Sequence, residues 1–352
     1  MPDWTSSMQQ TFEFYEVDPA TWGDKQRLDN VLSCSIIRDL YEDTLGSASI
    51  TISEELEECY IRPYLVTIQN DHRERFPLGA YLCQTPSVNY DGHMSNTDID
   101  AYTPLIELQE KLPPLGYTAA RQRNILDLAH DIMIENMRAP VIAGESEAKL
   151  TSNFVSNTSD TWLTFVNDLV GVANHRLDLD EVGRVLFSPQ QDLTSLQPVW
   201  EYNDGNSSIL YPEIKVNRDL YGIPNVIEVI YSNEGRNIYA RVVNDDPNSP
   251  ISTVSRGREI VYRDTNPELS VEPTKVSLTS YARDMLKQMS SLEYELNYSH
   301  GYCPVRIGDC VLLNYQRAGL TNIKAKVIRQ SIKCEPGTPV EETAVYTMNL
   351  WR

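Results

Sequence analysis

No stretch of this sequence approaches the ~18 uninterrupted apolar residues that a membrane-spanning helix needs. The richest run, Trp162 to Ala173, is broken by Asn167 and Asp168. The chain also lacks the basic start and apolar run of a secretory leader, since Asp3, Glu13, Glu16 and Asp18 all precede the first basic residue, Lys25. A soluble protein, folded where it is made, is the expectation. Basic charge is scarce: among 352 residues, 30 Lys and Arg stand against 50 Asp and Glu, a formal charge of −20. That deficit argues against a free-standing nucleic-acid binder, which needs a basic face against phosphate. It argues equally against docking on an anionic membrane.

Chemistry-bearing patterns are missing as well. There is no G-x-x-x-x-G-K-[ST], no G-x-G-x-x-G, no H-E-x-x-H and no G-x-S-x-G. The five histidines (72, 93, 130, 175 and 300) form no pair at metal-ligand spacing, and His130 lies off the apolar stripe of its helix. Six cysteines (34, 59, 83, 303, 310 and 334) contain no C-x-x-C, and Cys303 to Cys310 is too wide for a zinc knuckle. They read as buried or incidental free thiols, and the sequons at Asn157, Asn206 and Asn297 as chance matches. Asp178 to Gly183 opens like a calcium loop, but Val182 at position five and Pro189 at position twelve are not ligands, so it reads as a turn. Glu54, Glu55, Glu57 and Glu58 read as a solvated loop. Paired carboxylates could serve a glycosidase, but the five tryptophans do not cluster into a sugar platform. No catalytic residue, metal ligand or cofactor site is expected.

What remains is an ordinary globular composition, 41% hydrophobic and 23% charged, long enough for about two to three domains. Ser47–Ser53 alternates, with Ala48, Ile50 and Ile52 on one face. A second strand is expected over Tyr60–Asn70, with Tyr64, Val66 and Ile68 sharing a face. Asn70–Arg75 reads as a polar turn, and a third strand as Phe76–Gln84, stopped by Thr85-Pro86. Helical periodicity then appears in Ile125, Leu128, Ala129 and Ile132. It appears again in Trp162, Phe165, Val166, Leu169, Val172 and Ala173, behind an Asp160 cap. A short strand at Arg184–Phe187 follows. Asn225–Tyr231 and Asn237–Asn244 read as a hairpin, and a helix is expected at about 278–292. Strands are expected at Val305–Tyr315, Ile323–Cys334 and Ala344–Trp351. The fold class is mainly β with an α/β insertion (α+β).

Twenty tyrosines against six phenylalanines suit half-exposed strands or protein contacts. Several patterns occur in order: Trp22 with Leu28 to Ile36, Gly46-Ser47-Ala48-Ser49-Ile50, Ile61-Arg62-Pro63-Tyr64, Pro77 to Leu82, and Thr85-Pro86. Further along come Asp160-Thr161-Trp162-Leu163, Asn244 to Thr253 running to Arg256-Gly257-Arg258, and His300 followed by Val305 to Asp309. The set resembles the baseplate or tail-tip hub proteins of tailed bacteriophages, related to the hub part of type VI secretion spike proteins. The resemblance spans nearly the whole chain.

It implies two tail-tube-like antiparallel β-barrel domains, 1–103 and 213–352, with a small α/β domain at 104–212 between them and no lysozyme-like extension. It implies a homotrimeric symmetry adapter in the virion, assembled in the host cytoplasm. The partners would be a tail tube or distal tail ring and a spike or fibre, with phage DNA passing through without specific binding and no membrane binding by this chain. Subunit contacts are then expected at Arg62, Tyr64, Asn244, Ser249, Pro250, Arg256 and Arg258, Arg62 meeting a carboxylate. For Asn244–Thr253 a structural turn is favoured over partner contact, because Asn, Asp, Ser and Pro build turns through local side-chain bonds. The alternative is a β-rich virion polysaccharide-binding protein or glycoside hydrolase.

Overall fold

Residues 9–102 form eight strands in a computed structural model that describes residues 2–53, 56–90, 92, 95–233, 236–267 and 273–351. They are β1 (Gln9–Val17), β2 (Asp24–Leu28), β3 (Val31–Asp39), β4 (Gly46–Ile52), β5 (Tyr60–Gln69), β6 (His72–Pro77), β7 (Tyr81–Tyr90) and β8 (Ser95–Tyr102). The expected alternation of Ser47–Ser53 is that of β4, where Ala48, Ile50 and Ile52 are buried and Ser49 is exposed. Strand β5 departs from the one-sided reading. Tyr60 through Thr67 are all buried, so both faces of β5 are covered, and both of its edges are paired, one with β1 and the other with β6 and β7.

Two boundaries are corrected here. The run Asn70–Arg75 is mostly strand: Asn70 and Asp71 take φ of 51° and 61°, as a two-residue hairpin requires, and Gln69 pairs with His72. Ladder hydrogen bonds, rather than hydrophobicity, make β6. The strand expected to stop at Thr85-Pro86 continues to Tyr90, with Pro86 opposite Ile99 beyond a bulge between Cys83 and Thr85.

The following stretch holds α1 (Ile106–Gln109), β9 (Thr118–Ala119), α2 (Ile125–Asn136), β10 (Phe154–Val155), α3 (Trp162–Val172), β11 (His175–Leu179) and β12 (Val185–Pro189). Both longer helices lie where the periodicity placed them. The cap of α3 is Thr161, which forms a capping box with Thr164, whereas Asp160 is taken up by the backbone N–H of Asn157. Val172 is 59% exposed and falls outside the buried stripe, while Ala173 is buried.

Next come β13 (Pro198–Asn203), β14 (Leu210–Arg218), β15 (Val226–Asn233), β16 (Arg236–Val243), α4 (Thr253–Arg256), β17 (Val261–Asp264) and α5 (Lys275–Met289). The chain finishes with β18 (Ser291–Gly301), β19 (Cys310–Tyr315), β20 (Leu320–Lys333) and β21 (Pro339–Asn349). The expected hairpin of Asn225–Tyr231 and Asn237–Asn244 is β15–β16. The helix expected to reach residue 292 ends at Met289, where Ser290 closes the last turn on the Leu286 carbonyl. Leu292 belongs to β18, whose burial alternates through Leu292, Tyr294, Leu296, Tyr298 and His300.

Strand occupies 46% and helix 15%, so the protein is mainly β with few helices. By contact the chain forms two units, one of 1–214 and 298–344, the other of 215–297 and 345–352. In the first, a sheet runs β20-β3-β4-β8-β7-β5-β1-β2, with β6 beside β5 and β19 leading from β20 to a parallel β13. Its core gathers Ile36, Ile50, Ile61, Leu65, Leu78 and Ile332. Among the described residues the sheet is an open path and closes into no barrel. In the second unit, sheet β16-β15-β17 is covered by α5, which buries Leu278, Ala282 and Leu286 against Ile227, Val229 and Ala240.

Candidate functional site

Arg62 and Tyr64 sit two residues apart on β5 and therefore point the same way. Arg62 is 3% exposed. Expected to face a carboxylate of a neighbouring subunit, it is paired instead with Asp24 of its own chain, at 2.8 Å. Its other terminal nitrogen donates to the carbonyls of Trp22 at 3.0 Å and Val182 at 3.1 Å. The Tyr64 hydroxyl donates to the same Asp24, and the Arg75 guanidinium lies 4.6 Å from the centre of its ring. Trp22 Nε1 also reaches the Val182 carbonyl, at 2.9 Å. Arg62 and Trp22 thus hold the turn between β11 and β12 against the first sheet.

That turn is the calcium-like run, and it is a turn. Asp180 accepts from the backbone of Val182 and Arg184 and pairs with the Arg184 side chain at 2.6 Å. Gly183 has φ +81°, and an added Cβ would stand 2.5 Å from Ala80 Cβ. Only glycine fits there. Of the acidic loop, Glu54 and Glu55 lie outside the described residues, as does His93.

Asn244, Ser249, Pro250, Arg256 and Arg258 come together in the second unit. Asn244 and Ser249 are buried and bonded to each other at 2.9 Å, and the Ser249 hydroxyl donates to the Leu350 carbonyl. Asn225, wholly buried, donates to the Ile251 and Arg258 carbonyls and accepts from the Ile260 N–H. Sequence reasoning left Asn225 as the first residue of a strand, since its partners lie 26 to 35 residues away. Ser252 caps α4, and Gly257 ends it at φ +62°. Arg256 is spent on the carbonyls of Leu220 and Ile223. Burial, and then the charge of Arg258, push its pKa below the ordinary value. Pro250 and Arg258 are exposed, and Arg258 meets no carboxylate among the described residues. The segment is a structural turn that presents these two residues.

One further cluster was invisible in sequence. Tyr202, Tyr298, His300, Cys303, Gln330 and Glu342 converge from β13, β18, β20, β21 and the segment after β18, and none is more than 3% exposed. Glu342 accepts from Tyr298 and, at 2.7 Å, from Gln330, with His300 Nε2 at 3.4 Å. Tyr202 lies 3.0 Å from His300 and 3.3 Å from Cys303. Burial pushes the His300 pKa down, but its bonds to Cys303 and Glu342 and the Glu342 charge outweigh this and lift it to about 10. Burial and Glu342 raise both tyrosines well up. The residue types suit acid–base chemistry, yet no substrate reaches them. The cluster is a buried ion pair with its bonds satisfied.

An open cleft of about 570 Å³ is lined by Leu40, Tyr41, Asn174, Arg176, Gln190, Gln191, Asp192 and Lys326. It offers one aromatic ring and one carboxylate. Among the described residues no cluster of His, Cys, Asp and Glu could hold a metal, and no helix is long and apolar enough to cross a membrane.

No protein-family model and no curated protein matches the chain. Solved structures do. A tail protein from Neisseria meningitidis MC58 superposes with a TM-score of 0.58 at 12% identity, covering 97% of this chain and 98% of that one. The 43 kDa tail protein of prophage MuSo2 from Shewanella oneidensis gives 0.59 at 12% identity, covering 95% and 98%. The chain has the fold of these tail proteins. A Francisella PdpA–VgrG complex structure gives 0.56 at 9% identity, over 97% of this chain and 58% of that one. At such identities the likeness is one of fold.

Proposed function

We propose that the protein is a structural hub of a phage tail tip or baseplate: a homotrimer joining a six-fold tail tube to a three-fold spike or fibre. The observation that carries this reading is end-to-end likeness to a tail protein and a prophage tail protein, over at least 95% of both chains in each case. In this reading residues 1–103 and 213–352 supply two tail-tube-like β regions per chain, six in a ring of three, and 104–212 is the α/β insertion. The ring lines part of the DNA ejection channel. Three chains bring 3 × −20 = −60 formal charges, and like-charge repulsion keeps DNA from sticking as it passes. Such a hub is no enzyme, needs no cofactor, and resides in the virion after assembly in the host cytoplasm.

Of the seven residues named for subunit contact, Pro250 and Arg258 are the exposed pair, while Arg62, Tyr64, Asn244, Ser249 and Arg256 act by holding their surroundings in shape. An exposed guanidinium suits a carboxylate of a neighbouring acidic copy. The open cleft, with one ring and one acid, gives the polysaccharide or glycosidase alternative no support. Assembly with purified tail tube and spike proteins tests the reading. Trimeric rings capping tube ends are expected, and binding to neither partner would overturn it.

A further inference from the structure

Four of the six cysteines, far apart in sequence, stand opposite one another in antiparallel ladders. Ile36 pairs with Ile332 and Ser35 with Lys333, so the next position sets Cys34 of β3 against Cys334 after β20; the Cys334 N–H donates to the Cys34 carbonyl at 2.9 Å. Tyr60 pairs with Leu82, so Cys59, before β5, faces Cys83 of β7, and the Cys83 N–H donates to the Cys59 carbonyl at 2.9 Å. Directly opposed residues in such ladders have Cα atoms about 4.5–5.5 Å apart, inside the range of about 4.4–6.8 Å that a disulfide spans. All four are free thiols in this structure.

We propose that Cys34–Cys334 and Cys59–Cys83 are two dithiol–disulfide sites, thiols in a reducing medium and cross-strand disulfides in an oxidising one. One member of each pair is approachable: Cys59 and Cys334 are half-buried, and Cys83 and Cys34 are buried. A hydrogen bond from Cys83 lowers the Cys59 pKa, which favours the thiolate that attacks. The oxidant is a low-molecular-weight disulfide such as glutathione disulfide. The Cys59 thiolate attacks one of its sulfurs, the S–S bond breaks, and one glutathione thiolate leaves. Cys83 gives up its proton and attacks Cys59 Sγ, expelling the second glutathione. Two protein thiols are oxidised, one disulfide is reduced to two thiols, and the two protons end on the glutathiones. Cys334 and Cys34 follow the same course.

Cys303 and Cys310 serve as internal controls, being buried and in neither pair. The experiment equilibrates the full chain over a range of reduced to oxidised glutathione, quenches with iodoacetamide, and maps peptides by mass spectrometry. At the oxidising end four of the six thiols are expected to disappear, as linked peptides 34–334 and 59–83, with 303 and 310 alkylated. C59S and C334S are each expected to abolish one link and leave the other. Six alkylated cysteines at every ratio, or links in any other combination, would overturn the proposal. The wild-type map decides even where a variant fails to fold, and its result does not depend on the hub reading.

Discussion

Replacing Glu342 by Gln tests the buried pair most sharply. The variant keeps size and shape but removes the charge that faces His300. Breaking a buried pair from one side typically costs about 3–5 kcal/mol, because the remaining charge stays buried without a partner. Amide hydrogen exchange in β20 and β21 reads this loss locally, which suits a chain of two units that need not unfold together. The wild type carries a pH signature as well. His300 is raised from 6.5 to about 10, so between these values the folded state binds more protons than the unfolded one. The stabilisation is therefore complete below about pH 6.5 and is lost as pH rises through about 10. Its full extent is at most about 5 kcal/mol, from about 1.4 kcal/mol for each pH unit between the two values. A His300→Gln variant is expected to lack this slope. Wild-type protection that stays flat from pH 7 to 10, or a Glu342→Gln variant as stable as wild type, would refute the reasoning.

Other outcomes follow from single contacts. Arg62→Ala removes the guanidinium shared by Asp24 and the Trp22 and Val182 carbonyls, while Tyr64 still donates to Asp24 and Trp22 Nε1 to Val182; a loss of about 1–3 kcal/mol is expected, with faster tryptic cleavage after Arg184 as the β11–β12 turn loosens. Gly183→Ala, at φ +81° and against Ala80, should lower stability by about 1–3 kcal/mol in denaturant melts. Thr161→Ala should cost about 1 kcal/mol and Asp160→Ala less, since Thr161 is the cap. Arg258→Glu should leave melting within about 0.5 kcal/mol while reducing trimer formation in sedimentation, whereas Asn225→Ala should unfold the turn itself.

Legibility followed the range of the forces. Strand β4 and helices α2 and α3 were readable because period two and period 3.6 are local consequences of one buried face. Strand β6 was not, since two positive-φ residues and a backbone ladder make it from a polar sequence. The end of α5 was misplaced because Leu292 continues the helical spacing while also opening the alternation of β18. Asp160 and Thr161 both look like caps, and only the geometry of Thr164 chooses between them. Nothing local could pair Cys34 with Cys334 or bring His300 to Glu342, because those meetings are made by sheet order. The turn at Asn244–Arg258 was legible as a turn; its dependence on Asn225 was not.

Electron microscopy of assembled tails with this chain labelled tests the central claim most directly. Three copies are expected around the axis where the tube ends, each giving two β regions to a ring of six about an open passage. Label on a fibre tip or on the outer wall of the tail, or any copy number other than three at that position, would contradict the account.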